Sequence, residues 1–364
     1  MNMFTLNTIF GCSLIVKNKL VLLLVSLIME SCISVDGSLY EGGGQIIRLS
    51  LALSIICQKP VNIINIRSGR SRPGLAESHL TSVNILASIS DSQVQGNFKG
   101  STSLNFAPGK AKSGNYKAIC NTAGSTNLIL QAVLPVLMST SSNLVITGGT
   151  DTDFSPTSFH VTNMLQPALQ KLGINCEIFV DKYGFYPKGG GKIILKTQPS
   201  RPSSLNLTNT EYFDFGCSVL ITGKGRNSQK LNEICTQITE NLQIPLEKIQ
   251  TKIVQSQDHA IVASLFCNTG FVPMQYSFIE NFRNSSYDIN EICNELKQEI
   301  ALGHTIDQYL QDQIIIFLAL AQEPSSFFTK TLTPHTQAVI YLIHLFQLAE
   351  IQHENSILTI RPIN

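Results

Sequence analysis

Three times along the chain the same order of apolar and polar positions recurs. An apolar helical stretch leads into a short turn, a β-branched strand, a loop, and a second helical stretch that opens near a histidine. The first pass reads GQIIRLSLALSIICQKPVNIINIRSG and then SHLTSVNILASI. The second reads TNLILQAVLPVLMSTSSNLVITGG and then SFHVTNMLQPALQKLG. The third reads DQIIIFLALAQEPSSFFTKTLT and then PHTQAVIYLIHLF, with the shortest loop. Aligning Gln45, Asn127 and Gln313 brings His79, His160 and His335 to the start of each second helix. One unit alone leaves an apolar face half exposed, so packing all three together would close a common core.

The stretch CEIFVDKYGFYPKGGGKIILKTQP predicts a strand pair, with its glycine run at the turn. After residue 199 the pattern changes. A linker-like RPSS leads to a strand (DFGCSVLITGKG), a helix (SQKLNEICTQITENL), a strand (AIVASLFCNT) and a polar helix (DINEICNELKQEIALG). This predicts a small α/β domain at 203–304, inserted between the second and third repeats and free of chemistry-bearing groups. The main domain then comprises 33–202 and 305–364. Residues 1–32 read as an extension. Lys17 and Lys19 precede an apolar run at 20–29 that is too short to span a bilayer, which needs about 20 apolar residues. The expectation is that the working chain starts at Met29, with a targeting segment as the alternative.

Composition narrows the class. Hydrophobic residues are 43% and charged residues 14%, which allows a large core and excludes a disordered, solvating chain. The net charge of +1 supplies no global field for nucleic acid, so phosphate binding has to come from local clusters. The 9 cysteines contain no C-x-x-C pair, which speaks against zinc and fits buried thiols in a reducing compartment.

Local clusters are present. Glu41 heads the glycine run Gly42-Gly43-Gly44, just before a helix. Free N–H groups at a helix start favour phosphate, and an acid beside them suits a divalent cation, although the run also suits a plain tight turn. Arg67, Arg70 and Arg72 crowd a Gly/Pro loop, and Arg forks match phosphate oxygens. Arg48 falls on an apolar helix face, where a buried guanidinium needs an anionic partner. From Ser92 to Thr150 there is no acid, while Lys99, Lys110, Lys112 and Lys117 are present, as on a face for a polyanion. His335 stands in TPHTQ, and its repeat carries Tyr309, Asp312 and Gln313 nearby. A near-neutral imidazole is a competent nucleophile toward a phosphoanhydride.

Together, DGSLYEGGGQIIRLSLALS, IRSGRSRPGLAESHLT, LILQAVLP, GGTDTDFSP, YGFYPKGGGKI, YLQDQIIIFLALA and TPHTQAVI resemble the RNA 3′-terminal phosphate cyclase family over residues 36–351. The resemblance implies an α/β (α+β) fold: a trefoil of three units, each a four-stranded sheet with two helices, plus the smaller insert. It implies an ATP-dependent enzyme that turns an RNA 3′-phosphate into a 2′,3′-cyclic phosphate through a histidine–AMP intermediate. By motif position His335 is the nucleophile, and Gln131, Pro156, Tyr309, Asp312 and Gln313 form the ATP pocket. Arg48, Arg67 and Arg70 bind phosphate or RNA, and Glu41 takes Mg²⁺ or Mn²⁺. The partners implied are ATP and RNA with a 3′-phosphate end, in an intracellular and nuclear setting. No membrane partner is expected, and the oligomeric state stays open. Ser78 departs from the pattern, which has Gln before the histidine of the H-L-T segment. A sister branch of non-catalytic, cyclase-like proteins acts in ribosome assembly and lacks the nucleophilic histidine. His335 beside Tyr309, Asp312 and Gln313 favours the catalytic branch.

Overall fold

Residues 32–222, 228–281 and 288–363 are described by the structure, a computed structural model of the chain. Cys12, Lys17, Lys19, the apolar run at 20–29 and Met29 lie outside the described residues, and the expectation about the starting segment lies there with them.

The first repeat runs β1 (Ile33–Asp36), α1 (Gly44–Cys57), β2 (Val61–Ile64), α2 (Glu77–Ser90), β3 (Gln93–Gln95) and β4 (Leu104–Ala107). β1 and β2 are parallel, β4 is antiparallel to both β2 and β3, and the sheet order is β1-β2-β4-β3. The second repeat has the same topology. β5 (Gly114–Ile119), α3 (Thr126–Leu137) and β6 (Ser142–Gly148) form its parallel unit. Its second helix is broken into α4 (Ser158–His160), a π turn (Val161–Leu165) and α5 (Gln166–Lys171). The expected strand pair is β7 (Cys176–Lys182) with β8 (Gly191–Thr197), antiparallel, in the sheet β5-β6-β8-β7.

The chain then makes β9 (Asn206–Leu207) before it enters the insert, which runs β10 (Tyr212–Thr222), α6 (Ser228–Leu242), β11 (Ile249–Val254), β12 (Ala260–Thr269), β13 (Met274–Asn281) and α7 (Ile289–Ala301). Its sheet order is β11-β10-β12-β13, and it has an apolar core of its own around Cys217, Val219, Ile238, Leu265 and Phe278. The third repeat resumes with α8 (Gln308–Ala319), β14 (Ser325–Phe328), α9 (Pro334–Leu345), β15 (Ala349–Glu354) and β16 (Ile357–Pro362). β9 pairs in parallel with β14, completing the sheet β15-β16-β14-β9. The insert thus interrupts the third repeat after its first strand, rather than lying between the second and third repeats, and Asn206 and Leu207 belong to the main domain's sheet. A two-residue strand offers no periodicity to read, so only its pairing reveals it.

The helices join the repeats. α1 packs on α2, α3 and α9, α3 also on α2 and α8, and α8 on α9. Ile47, Leu51, Leu130, Leu137, Ile314 and Leu342 are fully buried between them. Each such side chain contributes roughly 1.5–3 kcal/mol on burial. That core is what holds residues from distant parts of the chain in one place. The helix starts are fixed by caps. Asp307 accepts from the N–H groups of Tyr309 and Leu310, at 2.9 and 2.8 Å, and Thr333 Oγ1 accepts from Thr336 N–H at 3.1 Å. Counted from the N-caps Gly43, Ser125 and Asp307, the third-repeat partner of Gln45 and Asn127 is Tyr309. Gln313 lies one turn further on. The apolar run of α8 begins a turn after its polar cap, which is why hydrophobic periodicity alone misaligns it.

Candidate active site

The site forms where the loop before α1 meets the starts of α8 and α9. The loop turns sharply at Glu41. Gly42 has φ +54°, where an added Cβ would come 3.2 Å from the Ser38 carbonyl, and Tyr40 on the other side of Glu41 has φ +55°. For a tyrosine that conformation costs roughly 1–2 kcal/mol, strain of the kind that collects at functional loops.

His335 lies in the first turn of α9 and is held from both sides. Gln45, in the first turn of α1, donates its amide N–H to Asp312 Oδ2 at 2.6 Å, which turns its oxygen toward His335 Nδ1 at 2.7 Å. Nδ1 therefore donates to Gln45, and in the neutral ring the lone pair is on Nε2. Nε2 is 3.0 Å from Glu41 Oε2. Burial lowers the His335 pKa from its ordinary value. Glu41 pushes it back up, and Arg48 and Arg70 lower it further. Asp312 is half-buried, and its burial raises its pKa to about 7 against the pull of the Gln45 hydrogen bond and Arg48.

Arg48 is buried, as its place on an apolar face required, with Asp312 as its nearby anion. Burial lowers its pKa to about 10, which leaves it charged. His79 packs beside it. The Ala76 N–H donates to His79 Nδ1 at 3.1 Å, and burial, with the charges of Arg48 and Arg67, brings its pKa down to about 3. The ring is neutral, and its Nε2–H and the Arg48 guanidinium converge over Gly44. A Cβ there would lie 2.1 Å from His79 Nε2 and 2.6 Å from Arg48 Nη1. The result is a pocket with a permanent positive charge and N–H donors at a helix start, which is what an anion needs.

The other arginines divide. Arg70 is exposed, donates to the Glu41 carbonyl at 2.8 Å and stands 3.9 Å from its carboxylate. Arg67 is tied to its own loop and donates through Nη1 to the carbonyls of Arg72 and Gly74, both at 2.9 Å. The acid-free lysines are exposed, but Lys112 is paired with Asp91, which lies just outside that window.

A cleft runs from this cluster along α8 and α3, lined by Gln45, Arg48, Gln131, Asp312, Gln313 and neighbouring apolar side chains. Tyr309 is half exposed at its α8 end, where its carbonyl accepts from Gln313 Nε2 at 2.6 Å. Pro156 is held through its carbonyl by Asn127 Nδ2 at 2.7 Å, one turn before Gln131. So Glu41, Arg48, Arg70, Asp312 and His335 come together, Gln131 and Gln313 line the adjoining cleft, and Pro156 and Arg67 lie outside its lining.

Sequence reading missed several participants. Gln45 served only as an alignment point, yet it links His335 to Asp312. The insert, expected to stay clear of the chemistry, reaches the site through Gln275 and Tyr276. Gln275 Oε1 is 3.1 Å from His160 Nδ1, and the Tyr276 ring meets the Tyr309 ring edge-on at 5.2 Å. Nothing in the stretch MQYSFIEN signals this, because the contacts run from a strand of the insert to helices of the main domain.

No group of three or more His, Cys, Asp or Glu side chains suited to a metal occurs among the described residues. Glu41 alone offers one accessible carboxylate, which fits Mg²⁺ or Mn²⁺ only in the mode where substrate phosphates and water complete the shell. No helix among the described residues is long and apolar enough to cross a membrane.

The profile of the RNA 3′-terminal phosphate cyclase family matches residues 39–353, which takes in every residue of this site. A protein of that name from Caldivirga maquilingensis is 34% identical over 340 residues, covering 89% of this chain and 95% of the relative. The one from Archaeoglobus fulgidus is 32% identical over 316 residues, covering 86% and 95%. The one from Drosophila melanogaster is 31% identical over 340 residues, covering 85% and 90%. The chain belongs to the RNA 3′-terminal phosphate cyclase family.

Proposed function

We propose that the protein is a catalytic member of its family, a ligase-type enzyme that uses ATP to convert RNA 3′-phosphate ends into 2′,3′-cyclic phosphates during RNA processing in the nucleus. His335 Nε2 attacks the α-phosphorus of ATP, an N–P bond forms, and the bond to the leaving pyrophosphate breaks. The AMP then passes from His335 to an oxygen of the RNA 3′-phosphate. The neighbouring 2′-hydroxyl attacks that phosphorus, loses its proton and expels AMP. Holding AMP on imidazole divides one difficult displacement into easier ones.

The observation that carries this reading is the hydrogen-bond chain from Asp312 through Gln45 to His335 Nδ1. It holds Nδ1 as the donor, so in the neutral ring the lone pair is on Nε2, and burial favours that neutral form against the pull of Glu41. Nε2 becomes free to attack once the Glu41 carboxylate turns away from it. A divalent cation shared by Glu41 and the phosphate oxygens would offset charge on the transferring phosphoryl group. Tyr309, Asp312, Gln313, Gln131 and Pro156 hold the nucleotide along the cleft. Arg48, with the His79 N–H beside it, and Arg70 receive phosphate oxygens, while Arg67 shapes the loop that presents Arg70.

The test is incubation with α-labelled ATP. The protein should take up AMP in an acid-labile bond, as a phosphoramidate requires, and release it onto RNA bearing a 3′-phosphate. His335→Ala should take up none while remaining folded. Label retained by His335→Ala would refute the mechanism.

A further inference from the structure

We propose that the inserted domain braces the nucleotide cleft from behind its lining, with His160 as the positioning residue through which strand β13 holds Gln313. This rests on the reading of Gln313 and Tyr309 as nucleotide-holding groups.

His160 is buried at the end of α4, with its ring between two amide oxygens. Nδ1 is 3.1 Å from Gln275 Oε1 of the insert, and Nε2 is 3.2 Å from Gln313 Oε1 of the main domain. Burial favours the neutral ring, so one nitrogen donates and the other accepts. Gln313 Nε2 donates to the Tyr309 carbonyl at 2.6 Å, which leaves the Gln313 oxygen to accept from His160 Nε2–H. The Gln275 amide can then offer its N–H to Nδ1 while its oxygen accepts from the neighbouring Ser277 hydroxyl. The imidazole thus transmits the position of Gln275 to Gln313. The π turn that follows His160 has Leu165 at its end, in the wall of the same cleft, and π turns recur at functional sites.

β13 grips the start of α8 at three more points. The Gln275 N–H donates to the cap carboxylate of Asp307 at 3.3 Å. The Tyr276 ring meets Tyr309. The Tyr276 hydroxyl donates to Glu299 Oε2 at 2.9 Å and accepts from Gln308 Nε2 at 2.7 Å. Elsewhere the insert meets the main domain through Phe185 packed against Leu220, Val262 and Ile279, and through polar contacts such as Lys188 N–H to Asp258 Oδ2 at 2.8 Å and Lys252 Nζ to the Tyr183 hydroxyl at 3.2 Å. Apolar packing would suffice for adhesion, and a buried polar network has to be fully satisfied to match it. The contacts of Gln275 and Tyr276 are the ones that converge on Gln313 and Tyr309, so they orient those two side chains.

The full-length protein can be titrated with an ATP analogue carrying a methylene between its α- and β-phosphates, which cannot adenylate the enzyme. Gln275 lies outside the cleft lining, so Gln275→Met keeps the volume, removes the polar link and touches no nucleotide. It should weaken analogue binding about five- to tenfold, the scale of one lost hydrogen bond, and His160→Phe should do the same. In a Gln313→Ala background Gln275→Met should have no further effect, because nothing is left to position. Unchanged affinity in Gln275→Met, or an equal loss in both backgrounds, would overturn the positioning role. Failure of the wild-type protein to bind the analogue would instead sink the functional reading on which the inference rests.

Discussion

Gln45 Oε1 stands 2.7 Å from His335 Nδ1, so the first helix of the first repeat sets the tautomer of a histidine in the third. The same amide donates to Asp312. Its orientation is therefore not free, and neither is the ring's.

Removing that amide should be felt in the rate of AMP uptake. Gln45→Leu, similar in volume, leaves Nδ1 without its acceptor and Asp312 without its donor. Single-turnover uptake of labelled AMP at saturating ATP should fall at least about tenfold, the weight of one well-placed hydrogen bond in a transition state. Uptake within a factor of two of wild type would show that the tautomer is set by something else.

Asp312 gives a dependence on pH with a definite sign. Burial raises its pKa to about 7 in the folded protein, above the ordinary 3.8. Between those values the folded state keeps a proton that the unfolded state has lost, so this group's contribution to stability falls as pH rises through that window. Asp312→Asn removes the contribution. The Tm of the variant relative to wild type should therefore rise steadily between pH 5 and 8. Asp307, also raised to about 7 by burial, acts the same way in both proteins and cancels in the difference. A Tm difference independent of pH would contradict the assignment.

Gly44 tests the anion pocket by steric means. Its missing Cβ leaves room for His79 and Arg48, which are buried and have little freedom to withdraw. Gly44→Ala should cost about 1–3 kcal/mol of stability, as overpacking does. It should also impair cyclisation of RNA ends, because Arg48 is displaced. Thermal melts and an RNA end-cyclisation assay read the two effects, and a silent substitution in both would mean that the pocket adapts.

Arg67 and Arg70 should separate. Arg67 braces its loop through two backbone carbonyls, so Arg67→Ala should lower the Tm as well as activity, by about 1–2 kcal/mol in stability. Arg70 is exposed, and its ion pair with Glu41 is long. Such pairs add little stability, so Arg70→Ala should melt like wild type yet use 3′-phosphate RNA poorly. Equal melting temperatures for both variants would remove the distinction.

Much of this was legible along the chain because it is local. Apolar spacing gave the repeated helices, β-branched runs ending in glycine gave β2 and β6, and the hairpin β7–β8 followed from its glycine run. Arg48 could be picked out because a charge is costly on an apolar helix face, Glu41 because an acid heads a glycine run at a helix start, and His335 with Asp312 because polar groups gather in the third repeat. Strands such as β3, β9, β11 and β13 escaped, being short, polar or without alternation. They are stabilised by the partner strand rather than by their own sequence.

What only the tertiary structure decided is who touches whom. Gln45 and His335 are 290 positions apart, and His160 and Gln275 are 115 apart. No local pattern encodes such pairs. They exist because three apolar helix layers close on one core and bring the polar first turns of their helices to the same end. The sequence determined that a histidine, a carboxylate and a buried arginine would be present. The packing decided that Gln45 orients the histidine, that Glu41 faces it, and that the insert touches Tyr309 and His160 from behind the cleft.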